Sequence, residues 1–120
     1  LVAGLAIVAA RRRPGRALDE RAARNAEVAA AWADAVRALQ LVDQRPSASE
    51  TPLEFARRVD ATLGDTLLSP LATAETRRRF GLGTPSPAAC AAARDAAARI
   101  VDHVRAGTTR RQRASSRLGR

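Results

Sequence analysis

The chain has 120 residues and a formal net charge of +9, and all 21 of its basic residues are arginine. That length suits one domain, and the 46% apolar content is largely alanine with only two Phe and one Trp, so the core is thin and the stability modest. Cys90 is the only cysteine, which excludes an internal disulfide. The charge points to an anionic partner, either nucleic acid or lipid headgroups; a codon bias toward arginine and alanine is the plainer source of the missing lysine.

Residues 1–10 (LVAGLAIVAA) are uninterrupted apolar sequence, followed at once by Arg11, Arg12, Arg13 and Arg16. A bilayer span needs ~20 apolar residues, so ten are the C-terminal half of a transmembrane helix, and the start on Leu1 fits a piece of a longer protein. A signal peptide would carry its positive charge before the apolar run, the reverse of what stands here. Arginines just after a span mark the cytoplasmic side. Residues 1–10 thus read as the end of a span, and residues 11–17 as a basic juxtamembrane linker.

Residues 18–107 read as a helical domain. Leu18 to about Val42 forms a long helix with Asp19 and Glu20 in its first turn, where the dipole favours negative charge. Val28, Trp32, Ala35, Val36, Leu39 and Val42 recur at three- and four-residue steps and give one apolar stripe. Residues 43–50 (DQRPSASE) are a loop by composition. Thr51 is then a helix cap and Pro52 occupies the first helical position. Glu54 stands three residues after the cap, as in a capping box, and four before Arg58, within pairing distance. Leu53, Phe55, Ala56, Val59 and Leu63 face inward, and Gly64 ends this helix.

Ser69-Pro70 repeats the cap-plus-proline pattern and opens a helix to about Phe80, with Leu71, Ala74 and Phe80 on its apolar side. Arg77, Arg78 and Arg79 are consecutive, so they cannot all face one ligand. Gly81 to Pro85 breaks the chain, and Ser86-Pro87 starts a last helix to about Ala106 that Gly107 stops. Its buried stripe is Cys90, Ala93, Ala97, Ile100, Val101 and Val104. Residues 108–120 carry five arginines and one large apolar residue and read as a disordered basic tail. That tail is able to bind anionic lipid, and Ser115 and Ser116 beside Arg113 make a weak phosphorylation motif. No alternating strand pattern is present, so the fold class is all-α, a small bundle of about four helices after the end of a transmembrane helix.

No constellation in the sequence carries catalysis or a cofactor. His103 and Cys90 fall on different sides of one helix and lack a second ligand or an orienting carboxylate. Gly81-Leu82-Gly83 lacks the other glycines and the preceding strand of a dinucleotide loop. Nucleic acid is disfavoured as a partner, because there is no zinc framework, no recognition helix and no set of aromatics to stack bases.

An alanine- and arginine-rich first helix with a Trp, a Pro/Ser loop, the run Thr51-Pro52-Leu53-Glu54-Phe55-Ala56-Arg57-Arg58-Val59 and a helix ending at Phe80-Gly81 form an ordered pattern. Over about Leu18 to Ala106 this resembles the C-terminal domain of bacterial protein-glutamine gamma-glutamyltransferase (transglutaminase-like) membrane proteins, a domain once catalogued as of unknown function. The motif residues Thr51, Pro52, Glu54, Phe55 and Arg58 carry the resemblance; the basic segment before Phe80 departs from it.

The resemblance implies a multi-pass parent whose Cys-His-Asp triad lies upstream, none of it mapping onto these residues, and a terminal domain without an activity of its own. Lacking lysine, this segment cannot serve as an acyl acceptor through a side chain. The expected function is a non-catalytic cytoplasmic domain at the cell membrane that binds an unidentified protein partner or regulates assembly. The alternatives are the same domain on a single-span adaptor, and a small basic nucleic-acid binder.

Overall fold

A computed structural model describes the backbone of residues 2–118 and the side chains of residues 15–114 and 116. Its elements are α1 (Val2–Gln40), α2 (Pro52–Leu63), α3 (Ser69–Arg79) and α4 (Pro87–Leu118). The all-helical bundle expected from the pattern forms, with no strand among the described residues.

α1 and α4 pack side by side and run parallel. Near the start of the overlap the Cys90 thiol approaches the Arg24 carbonyl, and Arg94 pairs with Glu27 one turn further on. Toward the other end, Asp34 of α1 lines a groove with Asp102 and Arg105 of α4. Parallel neighbours need a crossover, and α2 and α3 supply it across one face of the pair. The core lies between: Val28, Trp32, Ala35 and Leu39 meet Phe55, Ala56 and Val59, Leu68, Leu71 and Ala72, and Cys90, Ala93, Ala97, Ile100 and Val104. Val36, Val42 and Val101 of the expected stripes are only partly buried against it.

The caps explain most element boundaries. Thr51 Oγ1 accepts from the Glu54 N–H at 3.2 Å, and Gly64, at φ 75°, closes α2 by donating its N–H to the Asp60 carbonyl. Positive φ is where glycine escapes the Cβ penalty. Ser86 Oγ accepts from the Ala89 N–H at 3.0 Å and starts α4.

Four expectations are corrected. The linker at residues 11–17 is not a break: α1 is one helix from Val2 to Gln40. Pro14 removes a single intrahelical bond, while the surrounding arginines and alanines are strong helix formers. Gly107 does not stop α4, and helix rather than a disordered tail continues to Leu118. Gly107 is not among the positive-φ glycines, and Thr109 Oγ1 bonds back to the Arg105 carbonyl inside the helix.

Ser69 is the first residue of α3 rather than its cap. Phe80 is 73% exposed instead of packed, because α3 buries Leu71, Ala72 and Glu75 and ends before the ring reaches the core.

The course of α4 through Gly107 makes a signed prediction. No atom lies within 4 Å of where a Cβ on Gly107 would sit, so Gly107→Ala should stabilise the protein by about 0.5–1 kcal/mol in urea melts. A glycine that ended the helix in left-handed geometry would give the opposite sign.

Candidate functional site

The motif residues come together at the start of α2. Thr51 caps the helix, Pro52 occupies its first turn, and Phe55 is 1% exposed. The Phe55 ring meets Trp32 edge-on, with centroids 6.1 Å apart and planes at 86°, a favoured aromatic geometry. Only half of the expected capping box forms, since Glu54 is not among the acceptors of a Thr51 N–H bond in the described residues.

Arg58 does not pair with Glu54 either. Its Nε and Nη2 grip Glu50 at 3.0 and 2.9 Å, Nη2 also donates to the Arg45 carbonyl at 2.7 Å, and Nη1 to Gln44 Oε1 at 3.3 Å. The guanidinium carbon lies 5.2 Å from the centre of the Phe55 ring. A two-pronged carboxylate contact with a carbonyl beside it is stronger than an exposed i,i+4 pair, and it folds the 43–50 loop back onto α2. The hydrogen bonds from Arg58, then from the Ser47 N–H, hold the Glu50 carboxyl below its ordinary range.

Two carboxylates that the motif did not mark organise α3. Asp60 of α2 accepts from the N–H groups of Leu67, Leu68 and Ser69 at 3.2, 2.8 and 3.1 Å and from Ser69 Oγ at 2.6 Å. It is the cap of α3, supplied from another helix. Glu75 is 1% exposed and held by Arg78 Nε at 2.9 Å and by Arg79 Nε at 2.9 Å. Burial pushes its carboxyl up, but the hydrogen bonds from Arg78 and Arg79 outweigh that, so the group lies below its ordinary range. Arg77 faces elsewhere, donating to the Leu82 carbonyl at 3.2 Å. The arginine run therefore divides between a buried carboxylate and a loop.

Cys90 is buried beneath the Arg24 carbonyl, with the thiol 3.6 Å from it. Burial, then the nearby Glu27, raises the thiol above its ordinary value and keeps it protonated, the reverse of what a nucleophile needs. His103 is exposed and lines a cleft of about 200 Å³ with Val42, Leu63, Val104 and Arg111, between the end of α2 and α4. A second cleft, of about 250 Å³, lies between α3, the α3–α4 corner and α4. Both are smaller than the usual ligand pocket, whereas the open groove between α1 and α4, lined by Asp34, Asp102 and Arg105, has a volume of about 540 Å³, within that range. Among the described residues no three His, Cys, Asp or Glu side chains converge as metal ligands.

Of the arginines expected beside a membrane, Arg16 is exposed on α1. Arg11, Arg12 and Arg13 lie on the same helix by their backbone, their side chains outside the described residues. No described helix is long and apolar enough to cross a membrane. Comparison of the chain with protein-family models, with curated proteins and with solved structures finds no match.

The Glu75 clamp should be asymmetric. Arg78→Ala with Arg79→Ala strands a buried carboxylate and should cost about 3 kcal/mol, whereas Glu75→Gln leaves two partly exposed arginines that water can solvate and should cost about 1–2 kcal/mol. The lowered Glu75 pKa also sets the sign of a pH effect. Its stabilisation is complete above the ordinary carboxylate pKa, falls as pH drops below that value, and is lost once pH passes below the folded one. Denaturant melts of wild type and Glu75→Gln across acid pH should converge as the wild type loses this contribution. At neutral pH the Cys90 thiol should react with a disulfide reagent only as fast as the protein opens, so denaturant should accelerate labelling in step with unfolding.

Proposed function

We propose that this chain is a non-catalytic helical interaction domain held at the cytoplasmic face of a membrane, at the C-terminal end of a transglutaminase-like membrane protein. One observation carries the reading: the apolar run at residues 2–10, the arginines after it and the core residues Val28 to Leu39 lie on a single helix, α1. A helix leaving a bilayer would thus be the same rod on which the domain packs, fixing the bundle at the surface without a flexible tether. The arginines after the apolar run support the cytoplasmic side.

The polar groups most suited to chemistry are engaged structurally. Asp60 caps α3, Glu75 neutralises two arginines, and the Cys90 thiol is held protonated. These engagements support a role in binding rather than in reaction. The tie to the transglutaminase-like proteins rests on the ordered pattern over Leu18 to Ala106, with the Thr51–Val59 motif its most distinctive part. For the partner, the cleft beside α2 and His103 is sized for one or two side chains of another protein.

Reading the coding region ahead of Leu1 and fractionating the product tests the proposal. The expected result is a further apolar stretch completing a span, and a C-terminal fluorescent fusion that stays with membranes through a carbonate wash. A Cys-His-Asp region upstream would make the parent a transglutaminase-like enzyme, and its absence would make it an adaptor. A product released by the wash would overturn the membrane reading.

A further inference from the structure

The described residues include four strongly exposed large apolar side chains, and three of them gather at one end of the bundle. Phe80 is 73% exposed and Leu82 54%, both at the α3–α4 corner; Leu18 of α1 is 68% exposed. The fourth, Leu41, lies at the opposite end of α1. The corner is fixed against α1 at the level of residues 21–24. The Arg21 guanidinium reaches to 4.0 Å from a Cβ position on Gly81, and Arg24 Nη1 donates to the Pro85 carbonyl at 3.3 Å. Leu18 lies one turn closer to the apolar run and, two heptads before Trp32, at the edge of the face of α1 that carries the core. There the core-facing stripe continues past the bundle with no helix opposite it.

This apolar ledge is ringed by cations. Arg16, Arg21, Arg24, Arg77, Arg78 and Arg79 stand at the same end, against Asp19, Glu20 and Glu75. Glu75 is already taken by Arg78 and Arg79. Exposed aromatic and leucine side chains surrounded by arginine match an anionic lipid interface, where the apolar groups enter the headgroup boundary and each cation adds attraction.

We propose that the α3–α4 corner, with Phe80 and Leu82 at its tip and Leu18 beside it, is a lipid-contacting foot that rests on an anionic membrane surface. The inference builds on the membrane reading of α1 and adds a second point of contact. Its geometry is specific. Gly81 is level with Arg21, eleven residues after Ala10 along α1, so an upright α1 would hold the corner ~16 Å from the hydrocarbon edge. The headgroup layer is only about 5–7 Å deep. With the corner ~10 Å to the side of the α1 axis, a tilt of ~35° toward it, within the range of spanning helices, lowers the corner to ~7 Å. The foot therefore requires α1 to lean toward α3.

The test uses the full chain in vesicles of phosphatidylcholine with phosphatidylglycerol. A polarity-sensitive fluorophore is attached in turn to Phe80→Cys, Leu41→Cys and Val8→Cys, each carrying Cys90→Ala, with folding checked by circular dichroism. The label at position 80 should shift to the blue and be quenched by lipids spin-labelled near the headgroup. The label at 41 should stay in water, and that at 8 should be quenched by deep spin labels. Phosphatidylcholine alone, or Arg21→Gln with Arg77→Gln, should weaken the signal at 80, by about fivefold for each arginine removed.

A label at 8 buried deep while that at 80 stays in water would overturn the foot and leave the membrane reading standing. A label at 8 that is never quenched would remove both. Shielding at 80 that appears without vesicles and grows with protein concentration would assign the ledge to a second copy of the chain and overturn the lipid contact. Hydrogen exchange on the unsubstituted chain gives an independent reading, with the amides of residues 80–84 slowed by anionic vesicles if the foot is correct and unchanged if it is not.

Discussion

The edge-on contact between Trp32 and Phe55 is what ties α2 to the long helices; α3, the other half of the crossover, packs directly on both of them. The backbone of α2 packs on α3 and does not come close to that of α1. In a chain so rich in alanine, small side chains let α1 and α4 approach each other but cannot fill the wider space beneath α2. Two of the three aromatic residues fill it, meeting at 6.1 Å. Arg58 then covers the outer face of the Phe55 ring while drawing in the 43–50 loop. The motif at the start of α2 is thus a packing device from end to end: Thr51 sets where the helix begins, Phe55 reaches the core, and Arg58 closes the loop over it.

Electrostatics divides between groups that hold the fold and groups that face outward. Asp60, Glu75 and Glu50 each satisfy groups that would otherwise be left wanting: the first N–H donors of α3, two neighbouring arginines, and a guanidinium over a ring. Asp60 and Glu50 act across a loop, whereas Glu75 acts within its own helix on the residues three and four ahead. Among the described residues, many of the other arginines have no such partner and keep the surface strongly positive, which limits self-association and favours anionic surfaces.

Local signals in the sequence read well, and long-range ones did not. The caps at Thr51 and Ser86, the turn at Gly64 and the periodic stripes of α1 and α4 are written within a few neighbouring residues, and each appears in the structure. The Asp60 cap of α3 joins residues nine apart, and the Arg58–Glu50 clamp depends on a loop folding back, so neither has a local pattern to betray it. No local pattern marks Glu75 for burial; only the position of α3 over the core buries it. Pro14 and Gly107 misled for another reason. Each lowers helix propensity at one position, while helix formation is cooperative and strong formers on both sides carry the helix through. The apolar run and its arginines were legible as a pattern, but the continuity of α1 was not.

Because α1 and α4 run parallel, the two charged ends of the molecule are held far apart. Arg94 is level with Glu27, so Arg111 in the last turns of α4 stands about 50 Å along the axis from Ala10. That is several Debye lengths at physiological salt. With the apolar end of α1 anchored, the arginines at the end of α4 would feel almost none of the potential of the surface that holds the protein. On the proposed anchoring, the pair of helices would work as a mast whose basic tip meets whatever is stationed that far into the aqueous phase, out of reach of lipids at its base.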